Sequence, residues 1–348
     1  MELKKPFIVA GPCSAESESQ LLSTAQALAA SGKVDVLRAG IWKPRTKPNT
    51  FEGMGVEALP WFAKAREITG LPIATEVANA KHVESAMEYD IDLYWIGART
   101  AANPFSMQEV AEALRGTDKP VFVKNPVNGE VDLWCGAVER LVVCGVKNIG
   151  LIHRGFSGFG AGPLRNAPMW HLALEMRRRM PELPMICDPS HICGNRTMLG
   201  EISQQAADLN YDGLMIESHI SPDEAWSDAK QQVTPEALVA LLDSLKWRAG
   251  ESQSESYQIA LMGLREQIDS LDREILQLLS DRMGVAEKIG RIKRENDVRI
   301  LQPSRWEDIM ERALTSSSSL GLSEQFLRII FDAIHIESID RQKRVMND

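Results

Sequence analysis

Eight short apolar runs dominate the first two thirds of the chain, each closing on a glycine or charged corner and each followed by a helix-like stretch. They read FIVAG, VDVLRAG, LPIATEV, LYWIGAR, PVFVKNP, NIGLIHRG, MICDPSH and YDGLMIESH, from Pro6 to about Ser218. Near-continuous apolar strands of this kind fit a parallel sheet with helices on its faces, because only there are both sides of a strand buried. Intervening segments such as SQLLSTAQALAASG and HVESAMEYD carry helical spacing. Eight such units within about 245 residues match the usual size of a (β/α)8 barrel. The competing architecture is an open doubly wound sheet, and the lack of GxGxxG after the first run weighs against it.

Beyond Lys246 the texture changes. WRAGESQSESYQ is polar and without periodicity and reads as a linker over 247–257, separating a barrel over 1–246 from an all-helical segment over 258–348. The first helix of that segment, from LMGLREQ to IKREN, is too long to stand alone and requires a partner helix. Leu264, Ile268, Leu271, Ile275 and Leu278 form one apolar stripe in steps of four and three. The next step lands on Arg282, and Lys293 lies at almost the same angle about 16 Å further along. A full charge on a packing face is expensive unless an anion meets it, so the two cations suit a small dicarboxylate. Basic residues snorkelling from an antiparallel dimerisation arm would produce the same spacing.

Of 348 residues, 44% are hydrophobic and 25% charged, enough for a large core. The net charge of −9 argues against a nucleic-acid or anionic-membrane partner, since phosphate surfaces demand a basic face. The N-terminus, MELKKPFIVAGP, has no secretion-signal run, and no window approaches a membrane span. Five cysteines without CxxC pairing point to reduced thiols and a cytoplasmic setting.

In such barrels the working residues sit where strands end. Reading those ends in order gives Cys13, Arg38 with Lys43, Arg45 and Thr46, then Arg99, Lys124, Arg154, Asp188 with His191, and Glu217 with His219, followed by Asp228. A thiol, an imidazole and carboxylates suit a divalent transition ion. Arginines and lysines from four strand ends repel one another unless anions compensate them, and two phosphorylated substrates would do so. Taken singly each residue has a plainer role: Cys13 as a small buried hydrophobe, His191 as a hydrogen-bonded structural histidine, the cations as solvated surface charges. Coincidence across so many strand ends is harder to sustain.

GPCSAES, LRAGIWKPRTKPNTFEG, IGAR, DPSH, MIESH and AWSDAKQQVTPEAL resemble the short, barrel-only form of 3-deoxy-D-arabino-heptulosonate 7-phosphate (DAHP) synthase, over nearly all of residues 5–245. That family condenses phosphoenolpyruvate with erythrose 4-phosphate. Its sister, the synthase of the eight-carbon sugar acid, typically carries KANRS where this chain has KPRT. The resemblance implies that Cys13, His191, Glu217 and Asp228 hold a metal, manganese first, with iron, cobalt or zinc also compatible. It implies that Arg99, Lys124 and Arg154 cradle phosphoenolpyruvate with Arg38 near its carboxylate, and that Lys43, Arg45 and Thr46 grip erythrose 4-phosphate. The proton for the new hydroxyl would come from Lys43 or from a water on the metal. One departure is His153, where the family commonly has Glu before the arginine of the sixth strand.

LREQIDSLDREILQLLSDRMGVAEKIGRIK resembles the first helix of the all-helical chorismate mutases, and the likeness runs over about 258–345. Those are intertwined helical dimers in which each site borrows an arginine. The resemblance implies a homodimer, or a higher oligomer built on it, with Arg265 donated across the dimer and Arg282, Lys293, Arg305, Ser338 and Gln342 supplied by the home chain. Lys293 and Gln342 would hydrogen-bond the ether oxygen as chorismate becomes prephenate. Gln302 and Trp306 stand where the family usually has Asp and Glu. Two roles therefore stay open for the tail: a working mutase, or a chorismate- or prephenate-binding regulatory module with little turnover. Fusion of an early pathway step to a later one suggests feedback control of the barrel by prephenate or chorismate.

Overall fold

Why the apolar runs must meet in a ring follows from their pairing. The computed structural model describes residues 3–43, 50–158, 162–249, 252 and 254–347. Its strands are β1 (Phe7–Gly11), β2 (Val36–Arg38), β3 (Ile73–Val77), β4 (Leu93–Ile96), β5 (Val121–Lys124), β6 (Ile149–His153), β7 (Met185–Cys187) and β8 (Gly213–Glu217). Each pairs in parallel with the next, and β1 pairs with β8 from Phe7↔Gly213 to Gly11↔Glu217, which closes the sheet and excludes the open alternative. Helices cover the ring, beginning with Glu18–Ser31 and ending with Pro235–Ser244. Several open on a side-chain cap, as where Ser17 Oγ and Thr234 Oγ1 accept backbone N–H groups, satisfying donors that a helix start leaves orphaned.

Period-two alternation decides what each strand sends where. Val9, Val36, Ala74, Leu93, Phe122, Ile152, Ile186 and Met215 fill the barrel interior, one from each strand. Their neighbours, such as Ile8, Leu37, Val123 and Leu214, face the helices. Burying a side chain such as Phe122 or Ile152 contributes about 1.5–3 kcal/mol each. Two residues beyond the interior apolar layer, on the same face, come Arg38, Glu76, Trp95, Lys124, Arg154, Asp188 and Glu217. The same alternation that builds the core therefore lifts a polar ring to the C-terminal mouth.

The chain divides into two compact units, Met1–Gly250 and Glu251–Asp348. Trp247 still packs against the barrel core and Arg248 pairs with Asp208, while the next helix starts at Glu255. The second unit consists mainly of the helices Glu255–Glu295, Pro303–Thr315 and Glu324–Asn347. The 41-residue first helix spans roughly 60 Å. Its C-terminal part packs on the last helix through Met283, Ala286 and Gly290. A Cβ on Gly290 would lie 3.1 Å from Gln342 Cα, so glycine permits the close approach. No residue from Glu255 to Arg282 is buried, and Leu264, Ile268, Leu271, Ile275 and Leu278 are each more than half exposed. Among the described residues, no helix is long and apolar enough to cross a membrane.

Candidate active sites

At the C-terminal mouth of the barrel, Cys13, Lys43, Glu76, Arg99, Lys124, Arg154, Arg165, Asn166, His191 and Asp228 line a cavity of about 320 Å³. Cys13 Sγ, a Glu217 carboxylate oxygen and an Asp228 carboxylate oxygen lie within 4.8 Å of one another. Cys13 Sγ is 3.5 Å from Asp228 Oδ2, and His191 Nε2 is 3.8 Å from Glu217 Oε1. Burial, followed by Glu217, pushes the Cys13 thiol up to about 11. Burial likewise lowers His191, against the pull of Asp188, and so favours neutral imidazole. Its Nδ1 lies 2.8 Å from Asp188 Oδ2, which directs the proton to Nδ1 and leaves the Nε2 lone pair facing Glu217. Thiol, imidazole and two carboxylates, with one imidazole nitrogen already oriented by a carboxylate, fit a divalent transition ion.

The cations have distinct settings. Burial opposes ionisation of Asp188, but His191 and Lys124 outweigh it and hold the carboxyl well below its ordinary range. Lys124 Nζ lies 2.8 Å from Asp188 Oδ2, and both side chains are buried. Arg154 donates to Asn166 Oδ1 at 2.9 Å, and burial draws its guanidinium down to about 10. Arg99 reaches the wall on a one-turn helix, Ala98–Ala101, immediately after β4. Lys43 Nζ is 3.2 Å from Cys13 Sγ and also donates to the Cys13 carbonyl. Arg38 lies beneath the cavity and is not among its lining residues. It is 1% exposed, donates to Glu217 Oε1 at 3.2 Å and stacks 4.9 Å over Trp95. Its Nε and Nη1 have no hydrogen-bond partner among the described residues. Arg45 and Thr46 lie outside the described residues.

Two charged wall residues are not among the strand-end residues read from the sequence. Glu76 follows Ala74 by two positions, so the alternation of IATEV contained the signal; its Oε2 accepts from Trp95 Nε1 at 2.9 Å. Gly97 makes room for it, since a Cβ there would sit 2.2 Å from Glu76 Oε1. Arg165 comes from the segment after β6, which carries no periodic signal; it pairs with Asp228 Oδ1 at 3.2 Å.

In the helical unit a second cavity, of about 390 Å³, is lined by Arg282, Lys293, Gln302, Arg305, Trp306, His335, Ser338 and Gln342 together with apolar side chains. Arg282 Nη1 donates to Ser338 Oγ at 2.7 Å, and Lys293 Nζ donates to the Ile300 carbonyl. Burial lowers both Arg282 and Lys293, with Arg305 adding to the effect on Arg282. Trp306 stacks on His335 with ring centroids 4.1 Å apart. No carboxylate lines this cavity among the described residues, so its charge favours an anion. Arg265, seventeen positions before Arg282, is roughly 25 Å away along the helix and lines neither cavity.

A family model described as the DAHP synthetase I family matches residues 3–252, and one described as chorismate mutase type II matches residues 264–343. The phospho-2-dehydro-3-deoxyheptonate aldolase of Thermotoga maritima is 32% identical over 239 residues, covering 69% of this chain and 68% of that protein. A 2-dehydro-3-deoxyphosphooctonate aldolase of Geobacter sp. strain M21 is 28% identical, over 69% of this chain and 90% of its own length. The crystal structure of the Thermotoga maritima DAHP synthase superposes with a TM-score of 0.61 at 30% identity, covering 68% of this chain and 67% of that one.

Proposed function

This chain belongs to the DAHP synthetase I family and carries a chorismate mutase type II domain, which makes it a bifunctional shikimate-pathway enzyme, and on that premise we propose how its residues divide the two reactions. The barrel joins phosphoenolpyruvate to erythrose 4-phosphate, with Cys13, His191, Glu217 and Asp228 holding a divalent metal. Manganese is the first expectation, and iron, cobalt or zinc also suit this donor set. When bound, the ion supplies Lewis acidity toward the aldehyde oxygen.

Arg99, Lys124 and Arg154 take the phosphate of phosphoenolpyruvate, where their mutual repulsion is offset by the ligand's charge. Arg38, paired with Glu217, stands near the carboxylate of phosphoenolpyruvate, with its Nε and Nη1 unpaired among the described residues. Lys43, with Arg45 and Thr46, grips the sugar phosphate and supplies the proton to the new hydroxyl. The methylene carbon of phosphoenolpyruvate bonds to the aldehyde carbon, water adds to the carbon left electron-poor, and phosphate departs. The reading rests on one observation: Cys13, His191 and Asp228 line the same cavity as five cations, and a Glu217 carboxylate oxygen lies within 4.8 Å of Cys13 Sγ and an Asp228 oxygen. The test is a condensation assay on metal-stripped protein, with manganese returned and erythrose 4-phosphate or the five-carbon arabinose 5-phosphate supplied. Activity without metal, or a preference for the longer sugar, would defeat it.

In the tail, Arg282 and Arg305 hold the two carboxylates of chorismate while Lys293 and Gln342 stabilise the ether oxygen as its bond breaks, with no covalent intermediate. Arg265 completes the site of a second copy. A homodimer accounts for the uncovered stripe from Leu264 to Leu278, whose exposure in water is unfavourable for an isolated chain. Prephenate or chorismate bound in the tail slows the barrel, by a coupling free energy between the two sites. The cytoplasm, with its reduced thiols, is the compartment that suits five free cysteines.

A further inference from the structure

Glu217 and Asp228 each have a carboxylate oxygen within 4.8 Å of Cys13 Sγ, yet they sit on different elements, a strand end and the loop beyond it. Two anions so close repel one another and would splay without something to hold them. One continuous hydrogen-bonded bridge joins them. Arg165 Nη1 donates to Asp228 Oδ1 at 3.2 Å and to Gln231 Oε1 at 2.9 Å. Gln231 is 1% exposed, and its Nε2 donates to Glu217 Oε2 at 2.7 Å. The other end of the bridge is tied to the His191 turn: Arg165 N donates to the Ile192 and Cys193 carbonyls at 3.0 and 3.2 Å. Gly194, with φ of +67°, lets the two backbones meet, since a Cβ there would lie 2.5 Å from Arg165 Cβ.

We propose that Arg165 and Gln231 form a single brace that pre-orients Glu217 and Asp228 for a divalent cation and keys them to the His191 turn. The inference deepens the metal-site reading above and rests on it. The sign of the effect is not automatic, because a guanidinium also repels a cation. Arg165 is 43% exposed, so solvent screens that repulsion, whereas the bridge geometry is held by a buried amide. Orientation therefore wins, and partners of metal ligands are typically worth 10–100-fold in affinity.

Manganese(II) chloride is titrated into the metal-stripped full chain, and the free ion is read by electron paramagnetic resonance. Arg165→Ala and Gln231→Leu should each weaken binding about 10–100-fold. The double variant should be no weaker than the worse single one, since both cut one bridge. Unchanged or tighter binding in both single variants, or losses that multiply in the double variant, overturns the brace. Circular dichroism identifies any variant that fails to fold, and Gln231→Met, which keeps the length and adds no charge but loses the N–H to Glu217, then carries the test with the same expected loss. Cys13→Ala is the separate control: if it binds manganese like the wild type, the metal-site reading itself fails.

Discussion

Asp188 and His191, three residues apart at the end of β7, are locked together: Asp188 Oδ1 accepts the His191 backbone N–H at 3.1 Å, and Oδ2 lies 2.8 Å from His191 Nδ1. The same carboxylate carries the Lys124 ammonium, so one buried anion sets both a candidate metal ligand and a candidate phosphate-binding cation.

Asp188→Asn should therefore damage two functions at once. An amide would no longer favour the Nδ1–H tautomer, and Lys124 would lose its buried counterion. The synthase kcat should fall by roughly 10²-fold or more, by analogy with the cost of a wrong tautomer elsewhere, and the KM for phosphoenolpyruvate should rise. Steady-state kinetics in saturating manganese check this, and a change in kcat alone would show that Lys124 does not depend on Asp188.

Barrel stability should depend on pH through His153. Its Nε2 lies 2.6 Å from the Pro168 carbonyl, its Nδ1 lies 2.8 Å from Tyr211 Oη, and burial draws it from 6.5 down to about 4. Above about pH 6.5 both folded and unfolded chains hold it neutral. Below that the unfolded chain takes up a proton that the folded chain refuses until about pH 4, so stability falls as pH falls. The loss approaches about 3 kcal/mol at pH 4, because each tenfold difference in proton affinity between the two states is worth roughly 1.4 kcal/mol. Hydrogen exchange of β6 amides between pH 7 and 4.5 should show this slope in the wild type and a shallower one in His153→Gln.

Lys293→Ala should lower the mutase kcat about 10²–10³-fold while leaving the far-ultraviolet circular dichroism unchanged, because it removes a donor at a site of developing charge. The DAHP synthase rate, measured on the same protein, serves as the folding control.

The proposed donation of Arg265 across a dimer is tested by complementation. Arg265→Ala and Lys293→Ala should each be inactive as mutases alone. Mixing and refolding them in equal amounts should restore about a quarter of wild-type activity, since half of the dimers are hybrid and each hybrid has one intact site. No recovery in the mixture would show that Arg265 does not act across the dimer, and an active Arg265→Ala would place it outside the site.

Ile275→Lys on the exposed stripe should shift the chain toward monomer in sedimentation at micromolar concentration, with loss of mutase activity. A charge at the middle of an apolar helix interface costs several kcal/mol when unpaired. An unchanged sedimentation coefficient would remove the stripe from the interface.

Much of the barrel site was legible because alternation is local. Once PVFVK is read as a strand with Phe122 pointing in, Lys124 must point in as well, one layer higher, and the same holds for Met215 with Glu217 and Ile186 with Asp188. Glu76 obeys the same rule, but its signal is masked in the sequence because IATEV ends on an apolar residue. In the tail, the helical step from the apolar stripe to Arg282 and on to Lys293 rested on angle alone, and both residues line one cavity. That Leu264 to Leu278 would stay uncovered while Met283, Ala286 and Gly290 paired with the last helix was not readable, because angle does not say which stretch of a long stripe finds its partner within the chain.

By itself the sequence determined the periodicities: which residues share a face, how many strands there are, and which charged groups stand at strand ends, since these follow from bond geometry within a few residues. Only the tertiary structure decided that Cys13 and Asp228, 215 positions apart, lie 3.5 Å from one another, that Arg38 sinks beneath the cavity, and that Arg165 enters its wall. Those relations depend on ring closure between β1 and β8 and on the path of irregular loops. Both are set by packing over the whole barrel, and no local repeat encodes them.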